Sequence, residues 1–267
     1  MSVPAAEPFD PRWELRPGPG PVIATAVHAG HALRGDLAAR SALSSEARRR
    51  EEDPLTDVLA SVGDALFVSR VSRFEVDLNR PEDQAVYRVP SDAWGLDLWH
   101  EPPSDAMVEA SLAARAAFYA TMARLLESRI AEHGRVLLLD VHSFNHRRDG
   151  AGADPAPAAD NPDIDLGVTT ADPERFGHVV EALRESLRAD EAAGRPLDVR
   201  ENVRFPDGGH WPEWVHAEYG DAVCTITLEY RKFFMDEWTA SADLATLEAL
   251  RAGLARATAA ARRALAR

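Results

Sequence analysis

Residues 135–143 read Arg135-Val136-Leu137-Leu138-Leu139-Asp140-Val141-His142-Ser143. An apolar run with no alternation before Asp140 is the mark of a strand covered on both faces. The stretch leading into it predicts one long helix. From Ser104 to His133, Met107, Leu112, Ala116, Phe118, Tyr119, Met122, Leu125, Leu126 and Ile130 recur at helical spacing. Ser104 with Asp105 supplies an N-cap and Gly134 the stop. Upstream, Val22-Ile23-Ala24-Thr25-Ala26-Val27 is a second buried strand and ends in His28-Ala29-Gly30-His31. Helices alternating with buried strands predict a layered α/β fold.

The remaining segments fit that pattern. Residues 42–50 are helix-compatible, Pro54 breaks the chain before a short helix over 55–63, and 65–72 is a further strand. A strand at 164–169, a helix at 173–193, strands at 196–202 and 222–231 and a terminal helix at 242–266 follow. Residues 145–163 hold Asp, Ala, Pro and Gly without period and predict a loop or lid. Six prolines in residues 1–21 deny backbone donors, so 1–20 is expected to be an extended arm. There is no internal repeat and no break in composition. The expectation is one domain over 1–267, three layers α/β/α around a central mixed, mostly parallel sheet.

A chain of 267 residues buries roughly 70–75% of its unfolded surface and needs no staple to fold. Its single cysteine, Cys224, agrees. The net charge of −14 counts against nucleic acid and against an anionic membrane as partners. Every basic residue except Lys232 is arginine. No apolar stretch reaches the roughly 18–20 residues of a membrane span, and Met1–Glu7 lacks a signal pattern, so a cytoplasmic location is expected.

Three polar clusters fall where such a sheet places ligands, beyond the carboxyl ends of strands. They are His28-Ala29-Gly30-His31, Glu51-Glu52-Asp53-Pro54-Leu55-Thr56-Asp57 and Asp140-Val141-His142-Ser143. Two histidines and a carboxylate make an open zinc site, although strand-end histidines are also common without any metal. Asp140, two residues before His142, shares its face and is placed to fix it by a hydrogen bond. Glu229 interrupts the apolar strand Thr225-Ile226-Thr227-Leu228-Glu229-Tyr230-Arg231, where burial is costly unless the acid is paired or near a metal. Pairing with Arg231 or Lys232 is the structural alternative.

The more specific signal is Ser72-Arg73-Phe74-Glu75-Val76-Asp77-Leu78-Asn79-Arg80-Pro81. Together with the histidine-glycine loop, the acidic turn, Asp-x-His-Ser and the late Leu-Glu strand, it resembles the N-formylglutamate amidohydrolase family, over about residues 21–240. That family belongs to the zinc-carboxypeptidase and aspartoacylase-like hydrolases, so the resemblance implies their fold. It further implies Zn2+, or another divalent transition metal, on His28, His142 and a carboxylate of the acidic turn. Asp53, with Asp57 as companion, is that carboxylate, and Glu52 is the alternative. It implies Glu229 as general base on a zinc-bound water, and Asn79 with Arg80 as a clamp on a substrate carboxylate. For Arg80 an ordinary surface ion pair is the competing role.

Arg73 is a second clamp candidate, which also suits bracing Asp77. Arg231 lies on the Glu229 face, and His210 follows Gly208-Gly209 where relatives line the pocket. His31 and His146 sit beside the metal histidines without being ligands. The implied reaction is hydrolysis of N-formyl-L-glutamate to formate and L-glutamate, a step of histidine degradation. The alternatives are action on another N-acyl amino acid or a peptide, and a protein that binds acidic amino acids without catalysis.

Overall fold

The computed structural model describes residues 10–267. The sheet has seven strands. Along the chain, β1 (Trp13–Arg16), β2 (Val22–Ala26) and β3 (Ala65–Ser69) come first. Between β2 and β3 lie the short helices α1 (Gly35–Ala38), α2 (Ser45–Glu51) and α3 (Thr56–Ala60). Then come α4 (Asp105–His133), β4 (Val136–Phe144), β5 (Ile164–Gly167) and α5 (Pro173–Arg188). The two-residue strands β6 (Glu191–Ala192) and β7 (Arg195–Pro196) form a separate hairpin. The chain closes with β8 (Val199–Glu201), α6 (His210–Tyr219), β9 (Val223–Arg231) and α7 (Leu244–Leu265).

The spatial order is β1-β3-β2-β4-β9-β5-β8. Pairing is parallel for β3/β2, β2/β4, β4/β9 and β5/β8, and antiparallel for β1/β3 and β9/β5. The sheet is therefore mixed and mostly parallel, as the sequence predicts. Period-two alternation splits its side chains between two cores. Leu137, Leu139 and Val141 pack with α5 and α7, whereas Val136 and Leu138 pack with α4 and α6. By the same alternation Asp140 and His142 continue the Leu138 face, and Thr225, Thr227 and Glu229 continue the Val223 face. Two adjacent parallel strands thus carry polar groups on one face near their carboxyl ends, with His142 directly opposite Glu229 in register.

Some expectations change. Residues 13–16, within the expected arm, form edge strand β1. Pro11 and Pro17 bracket them and leave their own N–H groups free to pair, and an edge position tolerates neighbouring prolines. Residues 1–9 of that arm lie outside the described residues. The helix expected to 193 stops at Arg188. Ala193 (φ 51°) and Gly194 (φ 74°) then make a tight two-residue turn, the left-handed pair that closes a hairpin. Helix α6 was not foreseen. Its Pro212 falls in the first turn, where a missing N–H costs nothing. Among the described residues no helix is long and apolar enough to cross a membrane.

Candidate active site

His28, just past the end of β2, His142 on β4 and Asp53 after α2 meet at one buried point. His28 Nε2 lies 2.7 Å from Asp77 Oδ1, and His142 Nε2 lies 2.8 Å from Asp140 Oδ2. Each far ring nitrogen therefore donates its proton to an aspartate, which turns each Nδ1 lone pair inward. His142 Nδ1 stands 2.9 Å from Asp53 Oδ2, and His28 Nδ1 stands 3.5 Å from the same oxygen and makes no hydrogen bond. A carboxylate oxygen meeting two imidazole Nδ1 atoms gathers three ligating atoms at one point, where without a metal a proton on His142 is the donor to Asp53. A cation satisfies all three. Two imidazoles and one carboxylate are the donor set of an open zinc site, so the residues present fit the metal.

The local electrostatics agree. Burial alone would raise the Asp53 carboxyl, but the His142 hydrogen bond and the charges of His142 and His28 outweigh it and hold the acid low. Burial would lower the His142 imidazole, yet the charge and hydrogen bond of Asp140 and the hydrogen bond of Asp53 carry it well above its ordinary value. Positive charge is favoured at this point. Asp140 is itself fixed by Thr25 Oγ1, which donates at 2.6 Å.

The two acids of the turn point in different directions. Glu52 is buried, but its carboxylate meets His31 Nδ1 at 2.5 Å and accepts from Ser72 Oγ, on the far side of the turn. Asp53 faces the histidines, and its N–H donates to the His28 carbonyl at 3.0 Å. Two residues on, Leu55 takes a left-handed φ of 69°, an uncommon conformation for a leucine, which bends the chain away from the site. Asp57 is exposed and borders a separate depression with His31 and Arg70.

Glu229 stands across from His142 and lines the same cavity, of about 590 Å³. Burial pushes its carboxyl up to about 8, with the charges of Asp53, Asp140 and Asp165 adding and that of His142 opposing. A carboxyl poised near neutrality beside a cation site has the properties of a proton-transfer group.

The family model for N-formylglutamate amidohydrolase matches residues 20–235. The chain belongs to the N-formylglutamate amidohydrolase family. A solved N-formylglutamate amidohydrolase from Ralstonia eutropha JMP134 is similar at a TM-score of 0.74 and 20% identity, covering 95% of this chain and 97% of that one. A gene product of Agrobacterium tumefaciens is similar at 0.63 and 18% identity, covering 92% and 94%. At these identities the likeness is one of fold. A search of curated proteins gives no match.

Among the amidohydrolase motif residues, Arg73 lines the cavity. Its Nη2 donates to Asp77 Oδ2 at 2.7 Å, its guanidinium lies 4.9 Å over Trp94, and its Nε has no partner. Asp77, which sequence reading treated only as a residue for Arg73 to brace, holds His28 with one oxygen and Arg73 with the other. Asn79 borders the cavity, but both of its amide atoms are engaged. Oδ1 accepts from Trp211 N at the start of α6, and Nδ2 donates to the Gly208 carbonyl. This explains Gly208-Gly209: both have positive φ, and a Cβ would stand 1.9 Å from Thr227 Oγ1 on the first and 2.7 Å from Asn79 Nδ2 on the second.

Three expected substrate contacts are placed elsewhere. Arg80 donates to the Asp92 carbonyl at 2.9 Å and lies 4.7 Å over Tyr87, so it braces the 90–96 segment and does not line the cavity. Arg231 shares the parity of Glu229 but sits at the strand's end, where its guanidinium is drawn to buried Asp163, which also holds Arg195. His210 opens α6, with its ring 6.0 Å from Tyr119 and outside the cavity lining.

Lys232, the one lysine of the sequence and weighed there only as a partner for Glu229, is engaged elsewhere. It is buried, and its ammonium donates to the carbonyls of Arg50 and Glu52 at 2.7 Å and to Asn145 Oδ1 at 2.9 Å. It thereby pins the turn that carries Asp53. Lys232→Met keeps the bulk and leaves those acceptors unmet, so a loss of about 1–3 kcal/mol in urea unfolding is expected. Metal affinity, measured by chelator competition, should fall by about 10–100-fold, as when partners that orient ligands are removed.

Proposed function

We propose that this chain is a metal-dependent amidohydrolase that cleaves N-formyl-L-glutamate to formate and L-glutamate, a reaction of histidine degradation. The observation that supports it best is the convergence of His28 Nδ1, His142 Nδ1 and Asp53 Oδ2 beside buried Glu229 in one open cavity. Zn2+ held by those three atoms would supply Lewis acidity, acidifying a water and polarising the acyl oxygen.

The chain's own residues do the rest. Glu229 takes a proton from the attacking water as its oxygen bonds to the formyl carbon. The same carboxyl returns that proton to nitrogen as the C–N bond breaks, which leaves formate and the amine. Arg73, whose Nε has no partner, holds a substrate carboxylate by a charge-assisted contact. Because Asp77 grips both His28 and Arg73, the distance from metal to carboxylate receptor is set by one side chain. Asn79 and Arg80 act one step removed, by fixing the Gly208-Gly209 turn and the segment bearing Trp94.

The test is formate or amine release across N-formyl-L-glutamate, N-formyl-L-aspartate, N-acetyl-L-glutamate and a dipeptide ending in glutamate. N-formyl-L-glutamate should be turned over best. Preference for the dipeptide would replace the deformylase reading with a carboxypeptidase-like one, and binding without turnover would leave a non-catalytic protein.

Metal uptake should depend on pH with a defined sign. The His142 imidazole is raised well above its ordinary value, so at neutral pH the metal-free site holds a proton that a metal must displace. Affinity is therefore expected to rise with pH, by up to about tenfold per unit, until the imidazole is neutral without help. Calorimetric titration in buffers of differing ionisation enthalpy should show proton release on Zn2+ binding near pH 7; no buffer dependence would contradict it.

A further inference from the structure

The cavity has a second cationic wall that no motif of the chain announces. Arg148, in the loop after β4, and Arg204, between β8 and α6, both line it together with Glu229 and Arg73. Most arginines of this acidic chain end on a carboxylate, as Arg195 and Arg231 do on Asp163. Among the described residues neither Arg148 nor Arg204 has a carboxylate within ion-pair distance.

Arg204 is nonetheless held firmly. Its guanidinium lies 5.0 Å over the Phe144 ring and 5.4 Å over Phe205, and Nη1 donates to Asn161 Oδ1 at 2.8 Å. Asn161 is buried and anchored by its own amide to the Pro157 carbonyl. The backbone is fixed as well: the N–H groups of Val203, Arg204 and Phe205 all donate to buried Asp165. That carboxylate is occupied by backbone and does not reach the guanidinium. The groups that touch the Arg204 side chain are neutral, so it lines the cavity without an ion-pair partner.

The two arginines also work against each other. Burial lowers the Arg204 guanidinium and the charge of Arg148 adds to that, opposed by Glu229, Asp165 and Asp160. Two like charges on the wall of one cavity, one of them locked by aromatic and amide contacts, form a receptor for an anion. Arg73, on Asp77, is a separate cation of the same cavity.

We propose that Arg204, assisted by Arg148, binds the second carboxylate of a dicarboxylic N-acyl amino acid whose first carboxylate is held by Arg73. This deepens the amidohydrolase reading and rests on it.

The experiment compares kcat/KM for N-formyl-L-glutamate and N-formyl-L-glutamine, which share shape and differ in one charge. The wild-type protein should favour the glutamate by about 10–100-fold, the worth of a charge-assisted contact. Arg204→Met should lower kcat/KM for the glutamate far more than for the glutamine, mainly through KM, so that the ratio falls toward one. Arg204→Lys should restore part of the ratio. Arg148→Met, on an exposed loop, should lower it by a smaller factor. Equal losses on both substrates, or an intact ratio in Arg204→Met, would overturn the proposal. If neither compound is hydrolysed, the amidohydrolase reading fails separately and glutarate binding by calorimetry decides this one: weaker binding to Arg204→Met supports the anion receptor, and equal binding removes it.

Discussion

Glu229→Gln should retain a full equivalent of metal and lose about 10²–10⁴-fold in kcat on N-formyl-L-glutamate. The substitution keeps the volume of a side chain that lies in β9 opposite His142, so packing changes little. What disappears is the carboxyl proposed to take a proton and give it back. Burial and the acids around it set that carboxyl at about 8, so once protonated it holds its proton near neutral pH until nitrogen needs it. Positive charge at the neighbouring trio favours the ionised base at the start of the cycle. An amide cannot ionise at all. The expected signature is a collapse of kcat with little change in KM, because Glu229 is assigned no contact with the substrate's carboxylates. A Glu229→Gln protein with wild-type turnover would remove the mechanism while leaving the metal site standing.

The second large effect is expected at Asp53. Asp53→Ala removes the one anionic donor of the trio, and at least about 100-fold in metal affinity should go with it, seen as loss of bound metal after gel filtration. Hydrolysis should fall in proportion to occupancy and recover in part at high added Zn2+. Asp140→Asn is the informative companion. It leaves all three donors in place but weakens the acceptor that fixes the His142 tautomer, so a loss of about 10–100-fold is expected. Glu52→Gln separates the two acids of the turn. Its carboxylate serves His31 and Ser72, so this variant should keep its metal. Metal retention by Asp53→Ala with loss in Glu52→Gln would exchange their roles.

The parts of this molecule legible in the sequence are those in which local pattern and tertiary demand coincide. The buried run through β4, the capped helix α4 and the strand ends bearing His28, His142 and Glu229 all declare themselves, because a two-sided strand must be apolar until it reaches its site. What was illegible depends on long-range partners. Nothing in Arg231 itself says that Asp163 will capture it, and the backbone carbonyl that Arg80 meets, that of Asp92, has no sequence signature. Asp77 was overlooked as the His28 partner for the same reason: its two oxygens serve residues far apart in the chain. Lys232 and Arg204 carry the opposite lesson. Neither sits in a motif that marks its role, and only the fold shows one pinning the Asp53 turn and the other lining the cavity without an ion-pair partner.

The most direct measurement is formate release from N-formyl-L-glutamate by the purified protein before chelation, after chelation with metal content checked by mass spectrometry, and after Zn2+ is returned. If His28, Asp53 and His142 hold the metal that Glu229 works beside, activity should vanish with the metal and return with about one equivalent. Undiminished hydrolysis by protein shown to be free of metal would contradict it.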